Sequence, residues 1–238
     1  MHRLVALLPF VLVACVDSGD KGMVIVNNAA VSDSCVLTSN PDGAQRGHGT
    51  IYSGSPDAYV MTPVIQSRIT TTDNVDTVSR TIQLRGADVK LTLKAVTIEA
   101  GGNFTTTNPN KAYPPFSLFF SGSLPPGGFA SAFVDLIPPS VLRDIHGMGG
   151  TNKIDGEVLA EIVIKGELPG GDGVETDPYF YPVNVCNDCV VVNLGVCPLP
   201  MTIMPRGGNA CNAFQDGNVD CCTDASNNLV CPAIVATM

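Results

Sequence analysis

The chain has 238 residues, a net charge of −9, and 45% hydrophobic but only 15% charged residues. Soluble domains usually contain about 25% charged residues, so this chain has ample apolar side chains for a core and is not a disordered tail. Its negative charge repels phosphate backbones, which argues against nucleic acid as a partner.

The first fourteen residues have the pattern of a secretory signal. Arg3 is followed by an apolar run that ends at Ala14, and a run of roughly ten apolar residues is typical of a signal peptide. A helix that spans a membrane needs about 20 apolar residues, and this shorter run also contains Pro9. We therefore expect residues 1–14 to be cleaved during export.

The four residues Leu12-Val13-Ala14-Cys15 resemble the lipobox of bacterial lipoproteins. The resemblance implies that Cys15 becomes the lipid-bearing first residue and that residues 15–22 form a tether. It also implies a membrane partner, reached through the N-terminal lipid, in the bacterial cell envelope. Val16 replaces the aspartate that retains enterobacterial relatives at the inner membrane, which favours the outer membrane. An ordinary cleaved signal followed by an unrelated cysteine and an uncleaved apolar anchor are the alternatives.

From residue 23 to residue 195 the patterns indicate β-strands. Residues 23–27, 58–61, 64–69 and 77–84 are rich in apolar or β-branched residues, with Val78, Ile82 and Leu84 on one face. Alternation is clearest in 89–95 and in 157–168, where Val158, Ala160, Ile162 and Ile164 point inward. About eight such strands predict an all-β fold, an Ig-like or jelly-roll antiparallel β-sandwich over residues 23–195.

The middle of the chain yields three further predictions. Residues 116–120 and 129–137 flank Pro125-Pro126-Gly127-Gly128 and predict a hairpin with a long loop. Residues 139–145 begin with proline and form the one good helix candidate. Residues 39–55 and 101–115 are rich in glycine, asparagine, threonine or proline and are interpreted as loops.

The cysteines predict a disulfide framework. The chain contains nine, and removing Cys15 leaves the even set Cys35, Cys186, Cys189, Cys197, Cys211, Cys221, Cys222 and Cys231. An even set in an exported protein favours disulfides, so residues 196–238 are expected to form a disulfide-rich, loop-rich cap. We expect Cys35 to join the early strands to this cap, and the adjacent Cys221 and Cys222 to bond different partners.

The Cys186-Asn-Asp-Cys189 motif has two other interpretations. A redox pair normally lies at the start of a helix, but strands are predicted on both sides of this motif. A zinc site needs a second cysteine pair or nearby histidines at suitable spacing, and Cys221-Cys222 has the wrong spacing. Structural disulfides are therefore the favoured interpretation.

Signals of catalysis or metal binding are sparse. His48 and His146 are the histidines that remain after signal cleavage, and no catalytic motif such as G-x-S-x-G or H-E-x-x-H is present. Asp216, Asn218 and Asp220 place oxygen atoms at alternate positions, as at the start of a calcium loop. Cys221 and Asn227 then stand where an EF-hand needs glycine and an acid, so a different calcium loop or a plain turn remains.

Residues 211–222 resemble a cysteine-rich motif of secreted bacterial proteins with no assigned activity. The resemblance implies a compartment and no mechanism. The function expected from the sequence is a membrane-anchored envelope lipoprotein with a non-catalytic binding or structural role, for which a protein of the envelope is one candidate partner. A calcium- or ligand-binding module and a hydrolase without a recognisable motif are the alternatives, and no other cofactor is expected.

Overall fold

The computed structural model describes residues 20–31, 34–70 and 80–236. Cys15, the signal at residues 1–14, most of the tether and Val78 lie outside these residues. In the described part the chain forms sixteen strands and one α-helix: β1 (Asp20–Asn28), β2 (Gly49–Tyr52), β3 (Tyr59–Met61), β4 (Pro63–Ser67), β5 (Ile82–Ala100), β6 (Asn103–Thr107), β7 (Lys111–Ala112), β8 (Phe116–Leu124), β9 (Phe129–Ser131), β10 (Val134–Ile137), α1 (Pro139–Gly149), β11 (Lys153–Glu167), β12 (Gly173–Thr176), β13 (Tyr179–Cys186), β14 (Val191–Val196), β15 (Val219–Thr223) and β16 (Leu229–Val230).

Strand β11 organises the largest sheet. One of its edges pairs antiparallel with β5, and its other edge pairs with β13 and then with β12. The main run of strands in this sheet has the order β2-β13-β11-β12-β1-β4-β9. The edge of β5 that faces away from β11 pairs with β8, β7 and β6. Strands β3 and β10 form a separate two-stranded sheet, and β14, β15 and β16 form a third.

One hydrophobic core collects the inner faces of these elements. In β11 the predicted inward residues Val158, Ala160, Ile162 and Ile164 are all fully buried. Residues of β3, β10 and α1 belong to the same core cluster, so the small sheet and the helix help to cover the large sheet. The prediction of an all-β fold is confirmed, and the sheets pack in a sandwich-like manner.

Strand direction is less uniform than expected. Most pairs are antiparallel, but β1 pairs parallel with β12, β2 with β13, and β14 with β15. Alternation of apolar and polar residues shows which face of a strand is buried, and it carries no information about the direction of the neighbouring strand. Strand β14 contains residue 195, where the predicted sandwich ends, and it pairs with β15. The third sheet therefore includes residues on both sides of that predicted boundary.

The predicted hairpin around residues 125–128 is wrong. Strand β8 pairs with β5, whereas β9 pairs with β4 and β10 pairs with β3. The turn directs β9 to β4 and not back to β8: the backbone carbonyl of Gly128 accepts a 3.0 Å hydrogen bond from the amide of Ser67 in β4. Two adjacent β-prone segments therefore separate instead of pairing with each other.

Both predicted loops contain strands. Residues 39–55 include β2, and residues 101–115 include β6 and β7. The turn between β5 and β6 is Gly101-Gly102, and both glycines have positive φ angles, +58° and +82°. Such angles suit the tight turns that join antiparallel strands, so β6 returns along β5 with its five residues exposed.

The predicted helix at 139–145 is confirmed and extends to Gly149 as α1. Pro139 occupies the first turn, where the missing amide hydrogen has no helical partner to lose. Val141, Leu142 and Ile145 are buried in the core, and their spacing places them on one face. The opposite face is left for solvent. None of the helices in the described part of the chain has the length and apolar character of a membrane span.

Candidate functional site

An apolar groove runs beside α1, between the helix and strands β7 and β8. Its volume is about 700 Å³, which is within the range of pockets that hold small organic ligands. The side chains of Tyr113, Phe116 and Leu118 are half-buried along it. The lining residues are Ala58, Lys111, Ala112, Tyr113, Pro114, Phe116, Leu118, Asp135, Pro138, Pro139, Ser140, Val141 and Asp144.

A small polar network closes one side of the groove. Lys111 Nζ lies 2.7 Å from Asp144 Oδ2, and the Tyr113 hydroxyl donates a 2.7 Å hydrogen bond to the same oxygen. Lys111 Nζ also lies 5.1 Å from the Tyr113 ring centroid, a cation–π distance. The bonds from Lys111 and Tyr113 lower the pKa of the Asp144 carboxyl, so Asp144 and Lys111 neutralise each other as a charged pair.

Asp135 is the remaining charged residue of the groove. It lies on the exposed side of β10, and no hydrogen bond or ion pair to its side chain occurs among the described residues. Since Lys111 is paired with Asp144, the groove carries one uncompensated negative charge. This arrangement favours a ligand with an apolar body and a positively charged group.

A second, polar pocket lies where the C-terminal segment meets β2. Its volume is about 410 Å³, and three stretches of chain bound it: the turn before β2 with Thr50 of β2, the turn before β15, and Cys189-Val190. The lining residues are Gln45, Arg46, Gly47, His48, Thr50, Cys189, Val190, Asp216, Gly217 and Asn218.

Asp216 is the buried carboxylate of this polar pocket. Its side chain is only 4% exposed. One oxygen accepts a 2.8 Å hydrogen bond from the Thr50 amide, and the other accepts a 2.9 Å bond from the Tyr59 hydroxyl. Burial raises the pKa of the Asp216 carboxyl despite these donors. Burial likewise raises the pKa of Tyr59, and it raises the pKa of Tyr181, whose hydroxyl lies 3.0 Å from that of Tyr59, to about 12.

Two neighbours of Asp216 fasten the C-terminal segment to β3 and its preceding turn. The Gln215 side chain accepts a 2.8 Å bond from the Val60 amide and donates a 3.0 Å bond to the Val60 carbonyl. Asn212 Nδ2 donates to the Ala58 carbonyl at 2.9 Å. Asn212 and Gln215 are buried. These side-chain bonds add to the backbone bonds that Phe214 and Asp216 form with Tyr52 and Thr50 of β2.

The predicted calcium residues take part in separate interactions. Asp216 binds Thr50 and Tyr59, whereas Asp220 holds the Arg206 guanidinium, with Arg206 Nη2 2.6 Å from Asp220 Oδ1. Asn218 is exposed at the mouth of the polar pocket. No group of three or more His, Cys, Asp or Glu side chains that could hold a metal occurs among the described residues. Calcium binding here stays a prediction.

The eight cysteines that the structure describes form four disulfides: Cys35–Cys211, Cys186–Cys189, Cys197–Cys222 and Cys221–Cys231. The two expectations about pairing are confirmed, since Cys35 joins the early chain to the C-terminal segment and the adjacent cysteines have different partners. Cys186 and Cys189 bond to each other at the end of β13, in strand surroundings and not at the start of a helix.

The two histidines of the described residues lie in different surroundings. His48 is exposed at the polar pocket. His146 Nδ1, in α1, lies 2.8 Å from Ser53 Oγ, the distance of a nucleophile and its base. Ser53 is 0% exposed, however, so a substrate has no access to its hydroxyl. This pair fastens α1 to the turn after β2.

Sequence patterns alone did not single out Lys111, Tyr113, Asp135, Asp144 or Arg46. The groove residues come from three separate stretches, and only the pairing of β7 with β5 and the packing of α1 bring them together. Two proline pairs, Pro114-Pro115 and Pro138-Pro139, lie in or beside the stretches that line the groove. They are a local signal of an apolar surface that is not part of a strand.

Comparisons with known proteins identify no family. No family model matches the chain, and no curated protein matches it either. Among solved structures, the Arabidopsis thaliana protein AT1g01470, determined in solution, is 11% identical over 58% of this chain and 76% of its own, with a TM-score of 0.32. Spo0M, a sporulation control protein from Bacillus subtilis, is 12% identical over 53% of this chain and 43% of its own, with a TM-score of 0.21.

Proposed function

We propose that the protein is an exported bacterial lipoprotein, held in the cell envelope through Cys15, that binds a small apolar cation in the groove beside α1. The role is non-catalytic. The groove offers an apolar surface and one uncompensated carboxylate, Asp135, which together suit binding of such a ligand.

The pairing of the cysteines is the observation that carries the proposed export and anchoring. Cys35, Cys186, Cys189, Cys197, Cys211, Cys221, Cys222 and Cys231 pair with one another. Four disulfides suit an oxidising compartment outside the cytoplasm. These are eight of the nine cysteines in the sequence; the ninth, Cys15, lies outside the described residues and ends the lipobox-like sequence. Acyl chains on this residue would hold the protein in the membrane without a transmembrane helix.

The anchor is tested with Cys15→Ser in cells that express the full chain, with Cys189→Ser as the matched control. We expect the Cys15→Ser protein to leave the membrane fraction, while Cys189→Ser stays there. Globomycin, which inhibits the lipoprotein signal peptidase, should cause the wild-type precursor to accumulate. Normal processing of Cys15→Ser with continued membrane association would contradict lipidation.

The groove is tested with the fluorescent apolar probe N-phenyl-1-naphthylamine. Ala112 is exposed in the groove, so Ala112→Trp should fill the groove without disturbing the core, and probe binding should be lost. Thr105→Trp, on the exposed strand β6, is the control and should bind the probe as the wild type does. Equal binding by both variants would show that the probe binds elsewhere.

The sign of the ligand charge is tested by competition against the same probe. Dodecylamine, a cation at neutral pH, should displace the probe more effectively than the anion dodecanoate. Asp135→Asn should remove this preference, which we expect to be up to about fivefold because exposed charge pairs contribute about 1 kcal/mol or less. Stronger competition by dodecanoate would reject the proposed cation.

A further inference from the structure

The guanidinium of Arg46 lines the polar pocket, and the Arg46 side chain is 32% exposed. Its Nε atom is buried and has no hydrogen-bond partner among the described residues. The terminal nitrogens likewise form no hydrogen bond with the described side chains or backbone. Buried donors nearly always have an acceptor in native proteins, and arginine presents a planar fork that matches the two oxygens of a carboxylate.

Asp216 does not satisfy this guanidinium. Arg46 Nε lies 3.7 Å from Asp216 Oδ2, which is beyond hydrogen-bond length. Asp216 is held in place because the Thr50 amide and the Tyr59 hydroxyl each bind one of its oxygens. It therefore forms an ion pair with Arg46 without a hydrogen bond, and the two terminal nitrogens of the guanidinium remain for a ligand.

The same geometry limits the charge of a ligand. An anion bound to Arg46 would lie near the Asp216 carboxylate, so a single negative charge is favoured over the two charges of phosphate or sulfate. Beside Cys189 and Val190, the lining includes the polar side chains of Gln45, His48, Thr50 and Asn218. The Gln45 amide donates to the Pro41 carbonyl and keeps its own oxygen as an acceptor, and the Asn218 side chain makes no hydrogen bond within the described residues. Such a lining suits hydroxyl groups.

We propose that the polar pocket binds a small hydroxylated carboxylic acid, such as a sugar acid. Arg46 takes the carboxylate through its planar fork, and Asn218, Gln45 and His48 bind the hydroxyl groups. At about 410 Å³ the pocket has room for one such molecule. This pocket shares no lining residue with the groove beside α1. A failed test of one binding site therefore leaves the proposal for the other unaffected.

Isothermal titration of the oxidised full-length protein tests the site with five probes. Glucuronate and gluconate should bind, and glucose, inorganic phosphate and sulfate should bind weakly or not at all. Arg46→Gln should weaken the binding of glucuronate about ten- to a hundredfold, as expected for lost hydrogen bonds to a charged group. Arg85→Gln, which removes an exposed arginine on the large sheet, is the matched control and should bind as the wild type does.

Two exposed positions keep the test decisive if Arg46→Gln fails to fold. Asn218→Ala and His48→Ala change exposed side chains, and each should weaken glucuronate binding several-fold with the unfolding temperature unchanged. Three results would overturn the proposal: no binding of either sugar acid, equal binding of glucose, or tighter binding of phosphate than of glucuronate. Unaltered binding by both alanine variants would overturn it as well.

Discussion

The large sheet and the C-terminal segment, residues 189–236, are stabilised in different ways. The sheet belongs to one core that collects buried apolar side chains from strands throughout residues 23–185 and from α1. The C-terminal segment contains two small clusters, each with three buried residues. It depends instead on disulfides and on buried polar side chains such as Asn212, Gln215 and Asp220. A segment too small to bury much apolar surface needs cross-links and specific polar contacts.

This difference places the two candidate binding sites. The groove beside α1 is apolar because it borders the large core, and the polar pocket lies at the seam where the C-terminal segment joins β2. Asp216 belongs to both the seam and the pocket. Changes that loosen the seam should therefore affect the polar pocket more than the groove, in which Ala58 is the residue that Asn212 of the C-terminal segment binds.

Reduction of the disulfides should have the largest effect and should separate the two regions. The Cys197–Cys222 and Cys221–Cys231 bonds close loops with separations of 25 and 10 residues, and each should contribute about 3 kcal/mol. Under reducing conditions, hydrogen exchange should become fast in residues 197–236 while β5 and β11 stay protected. Retained protection of β15 in the reduced protein would contradict the difference between the regions.

Ile162→Ala should have the next largest effect, on the large sheet. The Ile162 side chain is fully buried in β11, and loss of such a side chain costs about 2–5 kcal/mol because a cavity remains. Denaturant unfolding measures this change. Thr105→Ala, on exposed β6, is the control and should change the free energy of unfolding by less than about 0.5 kcal/mol. Equal effects would show that β11 does not dominate the core.

Asp216→Asn should weaken the seam by about 1–3 kcal/mol, since a buried acceptor of two hydrogen bonds is altered. Its effect should depend on pH. Burial raises the pKa of the Asp216 carboxyl in the folded protein above its ordinary value of 3.8, so the folded state binds this proton more tightly than the unfolded state. The stability gained from that proton is present below pH 3.8 and is lost as the pH rises through the raised pKa.

The deficit of Asp216→Asn relative to the wild type should therefore be largest at acidic pH and should shrink as the pH rises. Unfolding free energies of both proteins across this range give the difference directly. A deficit that grows with rising pH would mean that the donors Thr50 and Tyr59 outweigh burial, and that the pKa of Asp216 is lowered.

Arg85→Gln should have the smallest effect. Arg85 pairs with Glu167 on the outer face of the large sheet, and both side chains are well exposed. Exposed pairs contribute between about 0 and 1 kcal/mol, so the unfolding midpoint should move little. A loss as large as that of Ile162→Ala would show that ion pairs, and not apolar burial, hold this sheet.

Sequence patterns predicted the elements that depend on local periodicity. The alternation in 157–168 identified β11 and its buried face, and Pro139 marked the start of α1. The parallel pairings and the partner of β9 were not predictable, because they depend on contacts far apart in the chain. Even numbers of cysteines indicated disulfides but allowed 105 pairings. The spacing of Asp216, Asn218 and Asp220 suggested one cluster, yet the chain turns at Asp216, which has a φ of +52°, and Asp220 lies in β15.

Mass spectrometry of the unreduced protein from the membrane fraction tests the proposed anchoring most directly. We expect an N-terminal peptide that begins at Cys15 and carries diacylglyceryl and acyl groups, together with disulfide-linked peptides that join Cys35 to Cys211 and Cys197 to Cys222. An unmodified Cys15, a disulfide that includes Cys15, or free thiols at the other eight cysteines would contradict the account of an exported, lipid-anchored and disulfide-stabilised protein.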